Sequence, residues 1–82
     1  MSVEIIKSQL PGIFYRKPDP DSEPFKNAGD SVNEGDIVGI IEIMKQYTDV
    51  KSTVSGKITE FHVEDGASID VDMPLLSVEP EK

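Results

Sequence analysis

The chain has 82 residues, with 16 acidic against 8 basic side chains for a formal charge of −8, and no cysteine. A length of this order makes one small domain, residues 1–82, that buries only about 60% of the surface of its unfolded chain, which leaves no room for a large catalytic cleft. The acidity and the scattered bases oppose binding to a phosphate backbone, the missing cysteines exclude disulfides and thiolate metal sites, and no apolar stretch approaches a membrane span, so nucleic acid and membrane are excluded as partners and the expected location is the cytoplasm.

In chain order, the segments "SVEIIK" (2–7), "GIFYR" (12–16), "DIVGIIE" (36–42), "QYTDVK" (46–51), "GKITEFHV" (56–63) and "PLLSVE" (74–79) read as short strands rich in β-branched residues. Turn signals separate them: Pro11-Gly12, Ala28-Gly29-Asp30, Asn33-Glu34-Gly35-Asp36, Ser55-Gly56 and Glu64-Asp65-Gly66. Helix is indicated nowhere. Many short strands in so small a chain predict a compact all-β barrel or sandwich.

An internal repeat refines this. "GDSVNEGDIVGIIE" (29–42) aligns with "GASIDVDMPLLSVE" (66–79) at a constant offset of 37, so that Val32 falls on Ile69, Val38 on Leu75 and Ile41 on Val78. "PGIF" (11–14) matches "SGKI" (55–58) at an offset of 44, which leaves seven additional residues in the first half, within "KPDPDSEP" (17–24). Two quasi-equivalent units are expected, each covering an apolar face of the other. The inserted segment, with three prolines and three acids and no apolar residue, cannot be a central strand and reads as a stiff, solvated loop.

Other candidates for chemistry are weak. His62, the single histidine, alternates with Phe61 and Val63 in a predicted strand and has no neighbouring nucleophile, so it reads as an exposed strand histidine. Asp19, Asp21 and Glu23 imitate the start of a calcium loop, but Pro24 stands where such a loop needs glycine. Gly56-Lys57 lacks the rest of a phosphate loop. No metal site and no catalytic residue is expected. In "IEIMKQY" (41–47), by contrast, Met44 and Lys45 follow an apolar strand at a place where a tight hairpin would favour Asn-Gly, a local misfit of the kind kept for function.

Taken together, "FYRKPDPDSEPF", "AGDSVNEGDIVGIIEIMK" and "SGKITEFHVEDGASIDVDMPLLSVE" resemble the biotin carboxyl carrier proteins of multi-subunit acetyl-CoA carboxylase, over about Ile6 to Glu79. The resemblance implies a flattened β-barrel, a barrel-sandwich hybrid of two quasi-symmetric four-stranded halves. It implies biotin amide-linked to Lys45, with Met44, Glu42 and Gln46 flanking the attachment site. The family's protruding thumb corresponds to Lys17, Pro18, Asp19, Pro20, Asp21, Ser22, Glu23 and Pro24. The expected partners are biotin protein ligase, biotin carboxylase and carboxyltransferase, and the expected role is a non-catalytic carrier of CO2 in fatty acid synthesis. Ile43 and Gln46 replace the alanine and second methionine of the usual "AMKM", Gln9 replaces a proline, and the family's N-terminal region and linker are not in the sequence. The alternatives are a lipoyl carrier domain, whose motif has aspartate where Met44 stands, and an unmodified interaction module of the same fold.

Overall fold

Each predicted run of β-branched residues forms a strand in the computed structural model, which describes residues 3–19 and 21–80. The strands are β1 Glu4–Lys7, β2 Gly12–Tyr15, β3 Ser31–Val32, β4 Ile37–Ile43, β5 Gln46–Lys51, β6 Gly56–Phe61, β7 Ala67–Ile69 and β8 Pro74–Pro80, with no helix among the described residues. Ser2, the first residue of the predicted 2–7 strand, lies outside the described residues. β3 and β7, two and three residues long, had no predicted counterpart.

The strands form two four-stranded sheets, β1-β8-β6-β3 and β5-β4-β2-β7, in which every neighbouring pair is antiparallel. Exchanging the halves of the chain maps one strand order onto the other, β1 onto β5, β8 onto β4, β6 onto β2 and β3 onto β7. The fold is therefore the expected all-β, flattened, quasi-symmetric barrel sandwich. Neither half of the chain is a sheet of its own. Each sheet takes two strands from each half, because the crossovers interleave the halves and their apolar faces are shared.

The symmetry extends to single hydrogen bonds. Ser8, after β1, accepts from the Asp72 N–H at 2.7 Å and donates its own N–H to the Met73 carbonyl at 2.9 Å. Ser52, after β5, accepts from the Gly35 N–H at 2.8 Å and donates to the Asp36 carbonyl at 2.9 Å. Both hydroxyls turn back on the residue two positions later, Ser8 donating to the Leu10 carbonyl and Ser52 to the Val54 carbonyl at 2.6 Å. These two buried serines thus satisfy polar groups where the chain bends inside the barrel, which is the condition for burying a turn at all.

Between the sheets lies one core, built from Ile6, Phe14, Val32, Val38, Ile41, Val50, Ile58, Ile69, Leu75, Leu76 and Val78. Burial of each such side chain contributes about 1.5–3 kcal/mol. Phe14 pairs with Ile41 across β2 and β4, and its ring fills the space in which a side chain at Gly39 would sit, 2.5 Å from the ideal Cβ. At the other close approach, a Cβ on Gly56 would lie 2.1 Å from the Glu79 carbonyl oxygen of β8.

Candidate functional site

β4 and β5 are joined by only two residues, with Ile43 and Gln46 in register on either side. The favoured two-residue links between right-twisted strands are type I′ and type II′ turns, and type I′ has positive φ at both positions, as Met44 and Lys45 do here with φ of 50° and 67°. Neither residue type is suited to that region, where Cβ crowds the following carbonyl at a cost of about 1–2 kcal/mol per residue. Met44 is 91% exposed, and Lys45 is exposed with no hydrogen bond or ion pair to the described residues. The turn therefore presents a methionine side chain and a free primary amine to solvent while its flanks are anchored: Ile43 packs against the core and Glu42 is half-buried.

Glu42 faces outward from the sheet, in register with Ile13 on one side and Tyr47 on the other. Its Oε1 accepts the Tyr15 hydroxyl at 2.9 Å. That hydrogen bond raises the Tyr15 pKa above 10.0, aided by partial desolvation and by the negative charge of the same carboxylate. The base of the Lys45 hairpin is thereby tied to β2, the strand that leads into the 17–24 loop.

The loop closes on itself. At its mouth the Phe25 N–H donates to the Arg16 carbonyl at 2.8 Å, and at its tip Asp19 accepts from the Asp21 N–H at 3.0 Å, the Ser22 N–H at 3.2 Å and the Ser22 hydroxyl at 2.9 Å. Asp19 is thus occupied as a turn-forming carboxylate. Lys17, Pro18 and Asp19 line a cleft of about 380 Å³ with Tyr15, Ile40, Tyr47 and Asp65. The start of the loop, Lys17 to Asp19, therefore stands over the outer face of the sheet that carries Lys45, close to Ile40 and Tyr47. Asp21 and Glu23 are exposed, Ser22 and Pro24 half-buried, and Pro20 lies outside the described residues. A larger groove, about 730 Å³, follows the seam between the edge strands β1 and β5 and contains none of the predicted site residues.

Tyr15, Ile40, Tyr47 and Asp65 were not picked out from the sequence. One signal was available: "IVGII" (37–41) is apolar without alternation, as expected of a strand covered on both faces. Ile40 is only 8% exposed although it lies outside the core cluster, since Tyr15, Tyr47 and the start of the loop enclose it. His62 is exposed, as expected, but does not lie in a strand. β6 ends at Phe61, and His62 lies in the following bend with Nε2 2.6 Å from the Ser77 hydroxyl and Nδ1 4.0 Å from Glu60. Its ring reaches the buried Ser77 on β8. Arg16, predicted as the end of a strand, likewise leaves the sheet after Tyr15.

The family model described as "Biotin-requiring enzyme" matches residues 4–78. Among curated relatives, the biotin carboxyl carrier protein of acetyl-CoA carboxylase 2, chloroplastic, from Arabidopsis thaliana is 44% identical over 75 residues, covering 92% of this chain and 29% of that protein. The biotin carboxyl carrier protein of acetyl-CoA carboxylase from Pseudomonas aeruginosa is 38% identical over 74 residues, covering 90% and 47%. The chain thus spans less than half the length of either relative. Among solved structures, Kluyveromyces lactis urea carboxylase matches with a TM-score of 0.79 at 26% identity over 96% of this chain and 6% of that one. A single-chain, multi-domain long-chain acyl-CoA carboxylase matches with a TM-score of 0.81 over 96% of this chain and 7% of that one; at 16% identity it is a likeness of fold.

Proposed function

The chain belongs to the biotin-requiring enzyme family, and from that premise we propose that it is a non-catalytic biotin carrier, with biotin amide-linked to Lys45. It would carry CO2 between the biotin carboxylase and the carboxyltransferase of an acyl-CoA carboxylase. The names of the curated relatives favour an acetyl-CoA carboxylase, and a role in fatty acid synthesis is part of the same proposal. The observation that carries the reading is the hairpin tip: two residues unsuited to positive φ, one of them a free lysine, held out into solvent by a rigid sheet.

The Lys45 side chain fits both tasks of a carrier. As a nucleophile, its Nζ would attack the acyl carbon of a biotinyl-adenylate in the active site of biotin protein ligase. An amide bond forms, the acyl phosphate bond breaks with release of AMP, and a base of the ligase takes the proton that the amine loses. Once loaded, the long side chain is a tether that raises the concentration of the group at two successive active sites. The group supplies a ureido ring able to hold CO2. Met44 and Gln46 flank the amine and would meet the ligase first, while Glu42 accepts the Tyr15 hydroxyl at the base of the hairpin. The 17–24 loop would limit the directions in which the tether can swing and offer polar main-chain groups to its end.

Intact mass after co-expression with biotin protein ligase tests this. One biotinyl group per chain is expected, located by tryptic mapping on the peptide containing Lys45. Lys45→Arg, which keeps the charge but cannot form the amide, should gain none and should change unfolding by no more than about 0.5 kcal/mol. Modification at Lys51 or Lys57, a lipoyl group in place of biotin, or no added mass on the wild-type chain would overturn the assignment.

A further inference from the structure

We infer that Arg16 is a positioning residue, holding the 17–24 loop in place over the sheet that carries the Lys45 hairpin. The importance of that position rests on the carrier reading above. The loop cannot hold itself. It contains no apolar side chain to bury, and Asp19 and Ser22 join its tip only to itself. The links from its mouth to the barrel converge on Arg16. The Arg16 carbonyl accepts the Phe25 N–H at 2.8 Å, and the Arg16 N–H donates to Asp65 Oδ1 at 2.8 Å. Nη2 donates to the Lys26 carbonyl at 3.3 Å and to Asn27 Oδ1 at 3.1 Å, on the strand-free segment by which the chain leaves the loop.

What orients the guanidinium is a ring from the other sheet: its central carbon lies 4.1 Å from the ring centroid of Phe61, at the end of β6. The buried Nε has no acceptor among the described residues, and the stack and the Nη2 bonds define the plane. A planar, delocalised cation is needed for this, since it must lie flat on a ring and donate along its edge at once, and an ammonium group cannot do both. Comparison of the repeats points the same way. At the offset of 44, the position of Arg16 in the second half is occupied by Glu60, which remains within β6 opposite Ser77, and no inserted loop follows it. The arginine accompanies the insertion and is not a requirement of the barrel. Lys17, Pro18 and Asp19, the residues immediately after it, are those that enclose Ile40 and Tyr47.

The test uses Arg16→Lys and Phe61→Leu. The first keeps the charge but loses the flat fork; the second keeps apolar volume but loses the ring face. Both are measured for hydrogen exchange at the Phe25 amide, with the Ile41 amide in β4 as an internal reference. Exchange at Phe25 should rise about tenfold in both variants, with Ile41 unchanged. In biotinylated protein, both variants should be loaded by the ligase as well as wild type but carboxylated more slowly. In a chain lacking residues 17–24, the same substitutions should have no further effect on the carboxylation rate, whereas a general structural defect would persist there. Unchanged Phe25 exchange in both variants, or a full rate loss surviving in the shortened chain, would overturn the inference. Failure of the wild-type chain to accept biotin would instead refute the carrier reading and leave the exchange measurement to decide the role of Arg16.

Discussion

Replacing Met44-Lys45 by Asn-Gly should stabilise the protein while abolishing its proposed function. Both native residues sit at positive φ, 50° and 67°. Relief of the left-handed strain is worth about 1–2 kcal/mol at each position. Glycine returns about 0.5–1 kcal/mol of this through the greater freedom of the unfolded chain, and asparagine tolerates the conformation because its short polar side chain bonds locally. Little is lost in exchange: Met44 is 91% exposed and so buries almost no apolar area. The net expectation is a gain of about 1–2 kcal/mol, or an increase in Tm of about 5–10 °C for a chain of this size. Urea unfolding followed by far-UV circular dichroism should show a higher midpoint with an unchanged slope, which assigns the gain to stability and not to a change in how much surface unfolding exposes. The variant should acquire no biotin. Unchanged or reduced stability would mean that the native turn costs nothing, and the case for functional retention of Met44-Lys45 at the hairpin tip would fall with it.

The remaining expectations concern the barrel, the loop and the tyrosine beside the hairpin. Gly56→Ala places a Cβ 2.1 Å from the Glu79 carbonyl oxygen, so β6 must separate from β8, and urea unfolding should register a loss of about 1–3 kcal/mol or more. Deleting residues 17–24 should leave the core folded, with a loss of about 1 kcal/mol from uncovering Ile40; complete unfolding would show that the loop is part of the core. Tyr15 is held protonated by Glu42, so its folded pKa is above 10.0 and the stability this contributes is present below pH 10 and lost as pH rises through the folded value. In a Tyr47→Phe background, the phenolate absorbance of Tyr15 should therefore appear above pH 10 and move down in Glu42→Gln; no movement would remove Glu42 as the cause.

The strain at residues 44 and 45 has a counterpart in the rigidity around it. The hairpin tip projects freely, yet its base is held by the Tyr15–Glu42 hydrogen bond, by Ile43 in the core and by a β4–β5 ladder running from Ile37 to Gln46. For the carrier proposed above, an amine that moves and a platform that does not would both be needed, and the difference in packing between the tip and its flanks fits that demand.

The sequence by itself determined the strands and their relation. β-branched residues at period two marked six of the eight strands, and the offset of 37 places β4, Ile37–Ile43, and β8, Pro74–Pro80, in equivalent positions. The inserted loop followed from counting residues between repeats, and the proposal for Lys45 rests on a motif resemblance that needs no knowledge of the fold. Tertiary structure alone decided the rest. β3 and β7 are too short to carry a periodic signal; they are strands because β6 and β2 offer them an open edge. The positive φ of Met44 and Lys45 arises only once Ile43 and Gln46 are brought into register. Ile40 is buried because a loop with no apolar residue happens to fold across it, and Arg16 meets Phe61, 45 positions away in the chain, only when the sheets close. Strand propensity is a property of neighbouring residues and is written locally. Pairing, coverage and stacking join residues distant in the chain, and so exist only after the chain has closed on itself.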